Sequence, residues 1–322
     1  MVLKIKIVFG FAFLFFINKA IFASQILDYE TEYFIKTLIN DVRNVNNIDK
    51  NINFKIISDK NINAFVDENN IIYITSGLIE NSPDYVALLS VIAHEIGHID
   101  KNHIIIRKSS LKNLSNFRKI TNMSVIAGSL ISNNPEALQG IALGDAGLSN
   151  LYINFSKDQE READLYSINT LKNLKTNSDS IIQLLDIIQE KASEKGFNKE
   201  KQKISTHPYF EERKDIIQYL NINEKTNLDQ KLNYKFKFIK AKFLGYNKNE
   251  TLISKMNNPF RMYAESIVEA QNGNLIRSMK KLNRLIKNQE NNIFLIETKA
   301  DILFSYGYTN ESIKFYSKVL NK

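Results

Sequence analysis

The chain of 322 residues contains no cysteine. That excludes a disulfide-stapled scaffold, a thiol nucleophile, a thiolate metal site and cysteine lipidation, and it leaves any metal to histidine, aspartate or glutamate. Glycine and proline are scarce, at 11 and 4 positions, while 43% of residues are hydrophobic and 24% charged. Such a composition excludes fibrous and disordered chains and points to a helix-rich globular protein. Long apolar runs are missing as well. The stretch from 120 to 150 is rich in small and apolar residues, but Asn133-Asn134-Pro135-Glu136 divides it into pieces too short for the roughly 20 residues of a membrane span. It reads as a buried helical pair or a mobile flap, with membrane contact at most peripheral.

The net charge of +8 is mild, and the lysines are dispersed among acids, as in Glu194 to Lys203, so nucleic acid is not an expected partner. At the N-terminus Lys4 and Lys6 precede the apolar run Ile7 to Ile17, and Ala20-Ile21-Phe22-Ala23 offers a small residue for cleavage. This is the layout of a secretory signal over residues 1–23, and a retained anchor would export the body equally.

Asp28 to Val45 has the apolar spacing of an amphipathic helix, and the short runs Phe54 to Ser58, Ala64 to Asp67 and Ile71 to Thr75 suggest a small sheet. A strong helix start follows, with Ser82 to cap, Pro83 in the first helical position and Asp84 at the positive end.

That helix contains His94-Glu95-Ile96-Gly97-His98. Residues four apart share a helix face, so both imidazoles can reach one zinc ion while Glu95 faces the water to be activated. With only 4 histidines in the chain, the chance expectation of such a pentad is roughly 0.005, so coincidence is a poor account of it. Gly97, a weak helix former, marks a close approach by the metal or by a packed neighbour. A catalytic zinc needs a third protein ligand. Glu160-Arg161-Glu162-Ala163-Asp164 begins a further helical run in which Glu160 and Asp164 share a face and Glu162 points away. Glu160 can complete the ligand set, and Asp164 can accept a hydrogen bond from a ligand imidazole. His103, five residues beyond His98, falls off the ligand face and reads as structural.

His94-Glu95-x-x-His98 followed by Glu160-x-x-x-Asp164 resembles the gluzincin metallopeptidases that include the CAAX prenyl protease and the heat-shock protease HtpX. Asn63-Ala64-Phe65, Thr75-Ser76-Gly77-Leu78, Phe155-Ser156-Lys157-Asp158-Gln159-Glu160 and Ser205-Thr206-His207-Pro208 look like the soluble periplasmic branch of that family. The resemblance implies a periplasmic enzyme with one Zn2+ per chain held by His94, His98 and Glu160, and with Glu95 as general base. It also implies a loop over the active site in which His207 is the fourth zinc ligand, as a self-inhibitory plug, or a donor to the oxyanion. Arg213 either stabilises developing negative charge or pairs with Glu211 or Asp215.

Beyond about Tyr219 the sequence changes to polar-flanked helices. Gly273 and Gly307 lie 34 residues apart, and the same offset relates Met279 to Ile313 and Leu285 to Val319, the period of tetratricopeptide-like helix pairs. The expected fold is therefore α+β: a signal peptide (1–23), a mainly helical zinc metallopeptidase domain with a small sheet (24–222), and a C-terminal tetratricopeptide-like α-helical region (223–322). The expected function is hydrolysis of unfolded or misassembled envelope polypeptides, with Ile71 to Thr75 as an edge strand that docks them and the repeats facing outer-membrane assembly machinery. The alternative is a chaperone or adaptor in envelope protein assembly with a largely silent peptidase site.

Overall fold

The computed structural model describes residues 24–106, 157–176, 179–194, 210–220, 228–289 and 292–321. The expected signal segment, the 120–150 stretch and the loop with His207 lie outside the described residues.

Helix α1 (Tyr29–Val45) starts where Asp28 accepts a hydrogen bond from the Thr31 amide at 2.9 Å, satisfying one of the helix's open donors. It buries Phe34, Ile35, Leu38, Ile39 and Val42. The sheet consists of β1 (Gln25–Ile26), β2 (Asn53–Ile57), β3 (Ala64–Val66) and β4 (Ile71–Thr75), in the order β1-β2-β4-β3. β2 and β4 run parallel, with Ile56 opposite Ile74, and the outer pairs are antiparallel. This corrects one expectation. β4, with Ile72 and Ile74 fully buried, is an inner strand, and the edge is the three-residue β3.

Thr75 then caps a short helix, α2 (Ser76–Asn81), and α3 (Tyr85–Asp100) follows. The α3 cap is Asp84, which accepts from the Ala87 amide at 3.0 Å. Ser82, read from sequence as the cap, instead closes α2 by donating its hydroxyl to the Leu78 carbonyl at 2.8 Å. From Tyr85 to Ile99 only Val91 is less than fully buried. A helix buried all round is the pillar of its domain, and α1, the sheet, α4 (Lys157–Asn173) and α5 (Asp179–Glu194) pack around it.

Gly97 decides how close α4 comes. A Cβ there would lie 3.1 Å from Cβ and Cγ of Tyr166 and 3.3 Å from Cα of Ala163. A packed neighbour on α4 is what the glycine admits. Helix α6 (Phe210–Leu220) then packs on α4 and α5.

The remaining described helices are α7 (Gln230–Tyr246), α8 (Glu250–Ser254), α9 (Phe260–Gln271), α10 (Leu275–Asn288), α11 (Ile293–Ser305) and α12 (Thr309–Leu320). α9 with α10 and α11 with α12 form hairpins, and the first turns at Gly273 and the second at Gly307, with φ of +84° and +83°. Glycine reaches that left-handed region without steric cost. α7 joins two cores: Phe236, Ile239 and Phe243 pack with the α3 core, while Phe238, Ala241 and Leu244 pack with Tyr263, Ile267 and Leu282. Among the described residues no helix is long and apolar enough to cross a membrane.

Candidate metal centre

Two helices build the site. α3 supplies His94 and His98 one turn apart, and α4 supplies Glu160 and Asp164 one turn apart, all four buried. The Nε2 atoms of His94 and His98 stand 3.0 Å from each other. The two Glu160 oxygens each lie 3.5 Å from one of them, Oε2 from His94 and Oε1 from His98. The three residues' ligating atoms fall within 4.8 Å of one another, as a group that could hold a metal ion.

The surrounding hydrogen bonds set which nitrogen of each ring is free. Nδ1 of His94 is 2.9 Å from Asp164 Oδ1, so it carries the proton and donates to the carboxylate. Asp164 is kept ionised: burial opposes its charge, but the Arg213 guanidinium and His94 together outweigh burial and hold the carboxyl below its usual range. Arg213 makes that contact in fork fashion, with Nε to Oδ2 at 2.9 Å and a terminal nitrogen to Oδ1 at 2.7 Å. For His98 the chain is longer. Its Nδ1 is 2.9 Å from Nδ1 of His103, whose Nε2 is 2.9 Å from Glu162 Oε2. The carboxylate makes His103 a donor at Nε2 and an acceptor at Nδ1, so His98 also donates through Nδ1.

Both ligand rings therefore turn bare Nε2 lone pairs toward one point, where a carboxylate joins them. Two acceptors at 3.0 Å repel unless a cation stands between them. Burial and the Arg213 charge oppose a positive charge on His94, yet its hydrogen bonds to Asp164 and Glu160 raise its pKa above the ordinary value. Two imidazoles and a carboxylate suit zinc with a fourth position left open. Glu95, next to His94 on α3, is buried beside the centre, and the two residues line one cavity.

Sequence reasoning brings His94, His98, Glu160 and Asp164 together as the structure does. It misses His103 and Glu162. A ring five residues along falls off the ligand face, but the turn at Lys101 and Asn102, where Asn102 takes φ of +55°, carries His103 back beneath His98. Arg213 also needs correction. It pairs with Asp164 across the α4–α6 contact, a partner the sequence reading did not name, and a guanidinium committed there acts through His94's partner. His207 lies outside the described residues.

Buried imidazoles four apart on one helix, joined by a carboxylate from a second and backed by further carboxylates, define a metallopeptidase centre of the gluzincin kind. The chain belongs to peptidase family M48, whose model matches residues 30–221. Among curated relatives, a Vibrio cholerae protein carrying the name beta-barrel assembly-enhancing protease is 24% identical over 81% of this chain and 56% of its own length. The metalloprotease LoiP of Escherichia coli is 30% identical over 38% of this chain and 45% of its own. The beta-barrel assembly-enhancing protease of Yersinia pestis is 28% identical over 47% of this chain and 31% of its own. The chain thus spans about half, or less, of the length of each of these relatives.

Proposed function

We propose that the chain is a zinc-dependent endopeptidase of the periplasm that hydrolyses unfolded or misassembled polypeptides, with His94, His98 and Glu160 as ligands and Glu95 as general base. The observation that carries this is the pair of Nε2 lone pairs facing each other at 3.0 Å beside a buried glutamate. A zinc ion bound there would acidify a water molecule and polarise the scissile carbonyl. Glu95 takes the proton released during attack and passes it to the leaving amine. Asp164, held by Arg213, and His103, held by Glu162, keep both ligand rings in the tautomer that binds metal.

An extended substrate pairs with β3, which has no strand on its outer side among the described residues and packs on α3 beside the centre. A folded protein offers no such free segment, which favours unfolded clients. The hairpins beyond α7, turned by glycines 34 residues apart, support a tetratricopeptide-like region from 223 to 322. Two relatives' names, beta-barrel assembly-enhancing protease, support the assembly of β-barrel proteins as the setting in which it works. In this reading His207 regulates access to the zinc.

The test is degradation of an unfolded model protein by the zinc-loaded chain beside Glu95→Gln and His207→Ala. Cleavage lost in the first and kept or raised in the second is expected. Undiminished cleavage by Glu95→Gln would remove the general-base assignment. A catalytically dead chain that rescues a null strain would favour the chaperone reading.

A further inference from the structure

Glu80 is a buried carboxylate at the end of α2, and its partners come from far along the chain. Asn247 and Asn249, in the turn between α7 and α8, donate their side-chain amides to its two oxygens, the second at 3.2 Å. Two further contacts act on the same end of α2. Lys240 of α7 donates to the Ser82 carbonyl at 2.8 Å, and Lys191 of α5 to the Asn81 side-chain oxygen at 2.7 Å. A buried carboxylate needs donors in place of its lost water, so Glu80 binds this end of α2 firmly to the C-terminal helices.

The other end of α2 holds the segment that leads into the edge strand. The Gly77 amide and the Ser76 hydroxyl both donate to the Asp59 carbonyl at 2.8 Å. The Thr75 hydroxyl lies 2.7 Å from the Asn61 and Asn63 carbonyls, and the Thr75 amide donates to the second of these at 3.2 Å. Gly77 shows how close the two run: a Cβ there would lie 2.4 Å from the Lys60 and Asn61 carbonyl oxygens. Backbone laid on backbone in this way leaves little room for one to move without the other. α2 has only six residues, less than two turns, so a tilt at Glu80 is carried to residues 59–63 and into β3, which starts at Ala64.

We propose that Glu80 is a positioning residue for the polypeptide substrate: through α2 it fixes residues 59–63 and with them β3, so that the C-terminal helices set where an extended chain lies against the metal centre. The inference rests on the peptidase reading and deepens it, since β3 is the strand assigned there to the substrate. A displacement of about 1 Å in such docking can cost about 100-fold in rate. Glu80 touches neither substrate nor metal, so its loss weakens docking while α3 and α4 keep their ligands in place.

Two measurements test it on the full zinc-loaded chain with Glu80→Ala, Asn247→Ala and Glu80→Gln. The glutamine keeps the reach and can pair once an asparagine amide turns over, and Asn247 is half-buried, so its truncation is the milder of the two alanine changes. The first measurement is hydrogen exchange read by mass spectrometry. In both alanine variants, peptides covering 59–66 and 75–78 should exchange about tenfold faster or more, while 85–100 keeps its protection. Glu80→Gln should stay close to the wild type. Protection unchanged at 59–66, or lost equally from 85–100, overturns the proposal, because Glu80 then holds nothing there or merely stabilises the whole.

The second compares cleavage of an unfolded protein. KM should rise about tenfold or more in the alanine variants with kcat nearly kept, the pattern of lost binding shared by ground and transition states, and Glu80→Gln should restore it. A KM left unmoved, or a fall in kcat and zinc affinity instead, overturns the positioning role while leaving a peptidase. If the wild type cleaves nothing, the peptidase reading fails separately, and affinity of the unfolded protein for the Glu95→Gln chain decides: weaker binding on adding Glu80→Ala supports the role, and equal binding refutes it.

Discussion

His98 and His103 meet Nδ1 to Nδ1 at 2.9 Å, and only one of those atoms can carry the shared proton. Glu162, on the far side of His103, decides which. We expect His103→Phe, and more weakly Glu162→Gln, to lower zinc affinity about 10- to 100-fold by freeing the His98 ring to rotate or change tautomer. Competition with a fluorescent chelator measures it, and circular dichroism of the metal-free chain checks that the fold is kept. Unchanged affinity in both variants would reduce His103 to a packing residue.

How much of this centre was legible in sequence follows from range. His94 to His98 and Glu160 to Asp164 are helical repeats within one turn, so helix geometry fixes each pair before any tertiary contact is known. β2, β3, β4 and α1 were legible for the same local reason, whereas the two-residue β1, which exists only by pairing with β2, was not. What failed needed tertiary information. The order of β3 and β4 depends on which strand finds β2, and the capping role passed from Ser82 to Asp84 because α2 required Ser82 as its own end. The Arg213 partner lies 49 residues away on another helix, beyond any local rule.

Asp164 and Arg213 form a buried pair in which each satisfies the other. Removing one charge strands its partner, so Asp164→Asn should cost about 3 to 5 kcal/mol in urea unfolding of the metal-free chain. The double variant Asp164→Asn with Arg213→Met should cost less than the single changes added together. Simple additivity would show that the two side chains are not energetically coupled.

Gly97 sets the α3–α4 distance, and through it the reach of Glu160. A valine there would collide with Tyr166 and Ala163. Overpacking of this sort should destabilise the chain by about 1 to 3 kcal/mol and weaken zinc binding as Glu160 is pushed outward. Alanine should do both to a smaller degree. If Gly97→Val bound zinc like the wild type, α4 would be yielding elsewhere along its length.

Lys242 on α7 holds Asp28 at 2.9 Å and Glu30 at 2.7 Å at the start of α1, an ion cluster joining the peptidase core to the C-terminal helices. Burial works against the charge on Asp28, but the ammonium prevails and its pKa is lowered. Asp28 therefore contributes stability above the usual carboxylate range, and loses it as pH falls through its lowered value. For Glu30 burial prevails and the pKa is raised, so its contribution is full below that range and declines as pH rises through the folded value. Burial also opposes the charge on Lys242, but Tyr263, Glu30 and Asp28 outweigh it and raise its pKa well above the ordinary lysine value, so the ammonium persists through neutral pH. Lys242→Met then leaves the buried Glu30 and the half-buried Asp28 without a cation. At pH 7 this should cost about 3 to 5 kcal/mol. At pH 4 and below, where Glu30 and then Asp28 take up protons, the deficit should shrink toward the loss of packing alone. Urea unfolding of wild type and variant at the two pH values checks it, and a deficit equal at both would mean that the cluster is held by packing rather than by charge.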